Sequence, residues 1–266
     1  MHRTTTSAVG FDHVYKAFVS RGRRSEPLLA LEDVAFEARP GEFLSLVGPS
    51  GCGKSTCLNL VAGLDSPSEG TVSHHGNPVR GVNTAVGYIT QDDNLLPWRT
   101  LRGNVEIGLE FHGVSRNERR ARARELIDLV GLHGFEDHYP HELSGGMRKR
   151  AGIIRTLVYD SDVVLMDEPF GPLDAQTRVI LQAELLKLWH RSRPTVLFVT
   201  HDLVEAIALS DRILVFTANP GRVKHEYTVD IPRPRDPFRI HDAPGFTDLH
   251  EALWADIRAE IGEATA

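Results

Sequence analysis

Cysteine is scarce in this chain: Cys52 and Cys57 are the whole supply in 266 residues. They lie five positions apart, at one glycine-rich stretch, which excludes a disulfide framework and fits a reducing compartment. Long apolar runs are missing as well. No window approaches the roughly 18 uninterrupted apolar residues that a membrane-spanning helix needs. The opening Met1-His2-Arg3-Thr4-Thr5-Thr6-Ser7 has no apolar core of the kind a secretory signal requires, and residues 1–10 read as a short flexible tail. Nor is there an excess of positive charge. Lys and Arg number 30 against 36 Asp and Glu, a net charge of −6 that argues against a nucleic-acid partner. The local basic runs Arg21-Gly22-Arg23-Arg24 and Arg148-Lys149-Arg150 therefore read as solvated faces. There are no repeats and no low-complexity segments.

What is present is an ordinary globular mix, 41% hydrophobic and 25% charged, long enough for one large α/β domain or two small ones. Within it, Gly48-Pro49-Ser50-Gly51-Cys52-Gly53-Lys54-Ser55 fits the pattern G-x-x-x-x-G-K-[ST]. A polyphosphate binds where several backbone N–H groups converge on it, and only glycines let the main chain turn that tightly. Lys54 can reach the β- and γ-phosphates, and the Ser55 hydroxyl can ligate Mg²⁺. The apolar run Phe43–Val47 precedes the loop, and Thr56, Leu58, Leu60 and Val61 continue it as a helix whose positive end faces the site. This protein binds a nucleotide. Cys52 admits two readings there: a thiolate favoured by surrounding N–H groups, or simply a small loop residue.

Strands are expected at 11–18 and 31–37, flanking a polar turn at 20–27. With 43–47 they make an antiparallel-tending start. Short strands at 70–73 and 85–89 form a second small β region. From about 100 to 158 the apolar spacing turns helical. Then Val163–Met166 and Val196–Val199 are continuous apolar runs, as expected of strands buried on both faces. Helices at 175–192 and 202–209 and strands at 212–217 and 222–229 follow. Strands alternating with helices predict an α/β fold with a mostly parallel sheet. The helical block at 92–158 reads as a subdomain inserted into it. Pro232, Pro234 and Pro237 make an irregular connector. A last helix near 246–261 carries Phe246, Leu249, Leu253, Trp254, Ile257 and Ile261 as one stripe for docking on the body or on a partner.

In open α/β sheets, ligands sit beyond the carboxyl ends of the strands. Asp167-Glu168 ends the strand 163–166, so both acids share an edge with the phosphate loop. Asp167 suits Mg²⁺, usually through water; Glu168 can face an attacking water as general base. His201, after strand 196–199, reaches the same edge as a γ-phosphate contact. In Leu143-Ser144-Gly145-Gly146-Met147, Ser144 is a natural N-cap and the glycines leave N–H groups free for an anion.

In this order, the phosphate loop, Gln91, Leu143-Ser144-Gly145-Gly146, Val163–Glu168, Leu173-Asp174 and His201 resemble the ATP-binding subunit of an ABC transporter. The resemblance runs from roughly residue 11 to 230, the expected ATPase domain, leaving 231–266 as connector and terminal helix. It implies a phosphate-loop NTPase core with an antiparallel β region. It also implies two ATP molecules sandwiched in a head-to-tail pair of subunits. Gln91 would sense Mg²⁺ and the attacking water. Ser144, Gly145 and Gly146, with Met147 behind them, would touch the γ-phosphate bound by the other subunit, and Asp174 would cross the dimer contact. An aromatic near the start would stack on adenine, best matched by Phe18 and next by Tyr15. Met147 departs from the pattern, standing where many members have Gln, so that residue's hydrogen bond is lost.

Leu95-Leu96-Pro97-Trp98, Phe170–Arg178 and Ile231-Pro232-Arg233-Pro234-Arg235 are similar to importers of the nitrate, sulfonate and taurine type. The resemblance implies a peripheral subunit on the cytoplasmic face of the membrane, with permease subunits and, indirectly, a substrate-binding protein as partners. Leu96 and Trp98 are the candidate permease contact, the alternative being a Trp98 packed inside its own subdomain. Two other readings remain open: an exporter or lipid-trafficking ATPase, whose members also carry Leu-Ser-Gly-Gly-Met, and a soluble ABC-type ATPase. The missing coiled-coil insertion and the acidic charge disfavour the latter.

Overall fold

The uninterrupted apolar runs are the centre of the molecule. The computed structural model describes residues 7–18, 27–171 and 173–264. The Arg21–Arg24 run, most of the polar turn at 20–27, most of the tail and Pro172 lie outside them. Chain order gives β1 (Val9–Phe18), β2 (Leu28–Ala38), β3 (Phe43–Val47), α1 (Lys54–Val61), β4 (Glu69–His74), β5 (Asn77–Pro78) and β6 (Val86–Ile89). The helices α2 (Leu101–Phe111), α3 (Arg116–Leu129) and α4 (Gly145–Leu157) follow, then β7 (Val163–Asp167), α5 (Ala175–Ser192) and β8 (Thr195–Val199). The chain closes with α6 (Leu203–Leu209), β9 (Arg212–Phe216), β10 (Val223–Thr228) and α7 (Phe246–Ala264). No helix among the described residues is long and apolar enough to cross a membrane.

Six strands form one sheet in the order β10-β9-β3-β8-β7-β6, all parallel except β10. Alternation of side chains sorts each continuous apolar run onto two faces. Phe43, Val164, Met166, Val196, Phe198, Ile213 and Val215 join α5, α6 and α7 on one face. Leu44, Leu46, Leu165, Leu197 and Leu214 face the other way, onto α1 and a four-stranded antiparallel sheet of order β2-β1-β4-β5. The helices α2, α3 and α4 bury a third cluster, built on Leu101, Val105, Ile127 and Ile154.

Two expectations are corrected. Strand 43–47 does not pair with the antiparallel start but lies between β8 and β9 in the parallel sheet. Segment 85–89 is not part of a small second β region: β6 is the edge strand of the main sheet, parallel to β7. Both are short apolar runs, and periodicity does not say which neighbour a strand pairs with. The terminal helix docks as expected through Phe246, Leu253 and Ile257. Trp254 and Ile261, though, are exposed at 50% and 47%. Trp254 lies one residue, about 100°, from buried Leu253, which turns it off the stripe.

Candidate nucleotide site

Four parallel strands deliver the candidate residues to one edge. The phosphate loop follows β3, Gln91 follows β6, Asp167 ends β7 with Glu168 next, and His201 follows β8. Gly53 caps α1 in the left-handed region at φ 92°. A Cβ there would come within 2.5 Å of Leu31 Cδ2 and 2.9 Å of the Ala30 carbonyl, so close approach to β2 demands glycine at this position. Lys54 curls back over the loop and donates to the Gly48 and Pro49 carbonyls, both at 2.8 Å. Phe18, Ser50, Gly51, Lys54, Ser55, Thr56 and Glu168 line one cleft of about 300 Å³, with Phe18 41% exposed at its rim. Lys16 Nζ lies 4.8 Å from the centre of the Phe18 ring. Tyr15 does not line that cleft.

Cys52 is 1% exposed, and burial pushes its thiol up despite Lys54 Nζ at 3.4 Å from the sulfur. Burial outweighs the favourable charge, so the reactive thiolate gives way to a small packed loop residue.

Ser55 Oγ donates to Asp167 Oδ1 at 2.9 Å, joining the loop to the strand end. Burial pushes the Asp167 carboxyl up, with the Ser55 hydrogen bond opposing and the Glu168 charge adding to it. A hydroxyl and a carboxylate meeting beside a second acid form the all-oxygen set that suits a hard divalent cation. Glu168 sits at φ 43°, its N–H donating to Val199 O at 3.0 Å, and its Oε2 lies 3.2 Å from His201 Nδ1. Glu168 Oε2 and Gln91 Nε2 both fall within 4 Å of the point where a Cβ on Gly171 would stand. The acid, the histidine and the glutamine therefore converge.

Ser144 caps α4, accepting from Met147 N at 3.3 Å, and Asp174 caps α5, accepting from Thr177 N at 3.0 Å. Hydrogen bonds from Thr177 hold the Asp174 carboxyl below its usual range. Gly145, Gly146 and Asp174 line a separate cleft of about 440 Å³ with Gln91 at its edge. None of these residues lines the phosphate-loop cleft, so one chain carries the two phosphate-type helix starts apart from each other.

The strand–loop–helix cradle, the acid pair and the second capped helix start now stand at known places on one fold. The family profile described as "ABC transporter" matches residues 31–171, more than half of the chain. The chain belongs to the ABC transporter family. An uncharacterized ABC transporter ATP-binding protein of Methanocaldococcus jannaschii is 50% identical over 225 residues, covering 85% of this chain and 83% of that protein. The taurine import ATP-binding protein TauB of Burkholderia pseudomallei is 42% identical over 90% of this chain and 94% of its own length. The nitrate import ATP-binding protein NrtC of Synechococcus elongatus is 43% identical over 91% of this chain, which spans 37% of that longer protein. Among solved structures, a dimeric ATP-binding cassette in a post-hydrolysis state with ADP and Pi superposes with a TM-score of 0.74. It is 34% identical, over 83% of this chain and 98% of that one. The chain is thus an ATP-binding, ATP-hydrolysing ABC cassette.

Two parts of this ABC ATPase escaped sequence reasoning. Lys149 is not on a solvated face: it is 3% exposed and donates to the Thr90 and Gln91 carbonyls at 2.9 and 2.7 Å. Burial pushes its ammonium down to about 8. With Arg148 Nε on Asp93 at 3.1 Å, it ties α4 to the Gln91 loop. Its phase with Ile153 and Thr156, at i, i+4 and i+7, was the available signal.

The other is Glu205, 4% exposed. It accepts from Thr200 Oγ1 at 2.7 Å and Gln182 Nε2 at 3.2 Å, next to the backbone that presents His201. Burial pushes its carboxyl from the ordinary 4.5 up to about 7. The folded-state value is the higher one, so its contribution to stability is full below pH 4.5 and is lost as pH rises through 7. Urea midpoints measured from pH 5 to 8 should fall with pH. Glu205→Gln should flatten that slope; an unchanged slope in the variant would assign it to another group.

Proposed function

We propose that this cassette powers a membrane importer for nitrate, sulfonate, taurine or a related small solute, acting as a pair of copies on the cytoplasmic face. The names of the relatives NrtC and TauB support the import reading. The dimeric cassettes it resembles support pairing. The observation that carries the pairing is that Ser144, Gly145 and Gly146 do not line the phosphate-loop cleft, so a γ-phosphate held there is left for the helix start of a second copy to meet.

In that pair Lys54 and the loop N–H groups hold the β- and γ-phosphates, and Phe18 stacks on the adenine. Ser55, Asp167 and Gln91 are the residues that would hold Mg²⁺, which when bound neutralises charge developing on the phosphate oxygens. Glu168 accepts the proton of the attacking water. His201, 3.2 Å from Glu168, donates to the γ-phosphate as its charge grows. Asp174, held ionised at the start of α5, faces the other copy.

Trp98 is 71% exposed just beyond the Gln91 loop, with Leu96 half-buried beside it. An exposed tryptophan at that place suits an anchor for a permease helix, and its exposure favours this over packing inside the helical layer. Trp98→Ala should abolish co-purification with a co-expressed importer permease while leaving ATP affinity unchanged. Undiminished assembly would remove the anchor.

A further inference from the structure

We propose that His74, His75 and Asp162 form a site for a divalent transition metal, zinc-like in chemistry, on the side of the sheet remote from ATP. His74 ends β4, His75 follows in the left-handed region at φ 48°, and Asp162 immediately precedes β7. The phosphate loop and Asp167 lie at the opposite, carboxyl ends of the parallel strands. One ligand atom from each residue falls within 4.8 Å of the others. His75 Nε2 contacts Asp162 Oδ2 directly, and His74 Nε2 lies 3.6 Å from Asp162 Oδ1.

The observation that asks for a ligand is His74 Nε2. It is buried, it faces the carboxylate, and it has no hydrogen-bond partner. A buried polar atom left that way is costly, and a metal ion between the three groups would satisfy it. Asn83 lies 3.3 Å from His74 Nδ1. Its Nδ2 faces that nitrogen while donating to the Val61 carbonyl, and its Oδ1 accepts from Ala85 N, so Asn83 is held in place and fixes the orientation of the ring. Two imidazoles and one carboxylate select zinc, cobalt or nickel over magnesium, with water completing the shell.

The ion would join the antiparallel layer, at β4, to the parallel sheet, at β7. It would therefore act as a removable staple between the two sheets, added to their apolar packing and to the hydrogen bond from Arg212 to the Glu37 carbonyl, raising the melting temperature without touching the nucleotide.

The test is a Co²⁺ titration of the full chain, without an affinity tag or nucleotide, followed by visible absorption and then by Zn²⁺ displacement. The expected result is one Co²⁺ per chain with the intense band of a low-coordinate nitrogen and oxygen site. It should be displaced by Zn²⁺ and bound roughly tenfold or more weakly in both His75→Gln and Asp162→Asn. Both side chains are exposed at about half, 41% and 54%, so these variants keep the fold, as circular dichroism will show. His133→Ala, in the other His-carboxylate group (Asp128, His133 and Glu136), should change nothing. Wild-type chain that takes up no Co²⁺, or uptake indifferent to His75→Gln and Asp162→Asn, would overturn the proposal.

Discussion

Glu168→Gln is expected to slow ATP hydrolysis by roughly 10²–10⁴-fold while ATP affinity stays at its wild-type value. The carboxylate stands one residue beyond β7, turned by a left-handed backbone toward His201 and within reach of the Gln91 amide. It belongs to the same cleft as Lys54 and Ser55 but, among the described residues, makes no hydrogen bond to the loop itself. An amide of the same shape keeps the space filled and removes only the ability to accept a proton. Single-turnover hydrolysis beside an equilibrium binding titration separates the two properties. Near-normal turnover would move the general base to another group.

Lys54→Ala and Gly145→Asp should each abolish steady-state hydrolysis, and mixing the two purified variants should restore it. Losing the ammonium at the loop removes charged hydrogen bonds to the phosphates, and ATP affinity should fall roughly tenfold or more. Gly145 has open space around its Cβ position, the nearest side-chain atom beyond its chain neighbours being Arg148 Nη2 at 3.9 Å. An aspartate fits there without disturbing the fold and sets a negative charge against the incoming γ-phosphate. If the two clefts serve one nucleotide from different copies, a mixed pair retains one intact composite site: the cradle of one variant against the serine-capped helix of the other. Recovery on mixing is the expected outcome. A mixture as inactive as its components would show that both elements act within one chain.

The parts of the site that were legible in the sequence are those in which neighbours in sequence are neighbours in space. Gly48–Ser55 is one loop, Asp167-Glu168 one strand end, and Ser144–Met147 one helix start, and each carries its chemistry in its own spacing. Pairing between distant segments was not legible. The same apolar pattern that identified 43–47 and 85–89 as strands said nothing of their partners, and both belong to the parallel sheet. Lys149 looked like one more surface cation because its neighbours Arg148 and Arg150 are basic, yet its helical phase buries it against the Gln91 loop. Trp254 and Leu253 are adjacent in sequence and cannot share one helix face, so only Leu253 is buried. The His75–Asp162 pair spans 87 residues, and only the fold brings the two together.

Sedimentation of the Glu168→Gln chain with ATP and Mg²⁺, with bound nucleotide counted in each species, tests the shared grip most directly. The expected result is conversion from single copies to pairs on adding ATP, each pair carrying two unhydrolysed nucleotides, and no conversion when Gly145→Asp is added to the same chain. Chains that saturate with ATP yet remain single would contradict it.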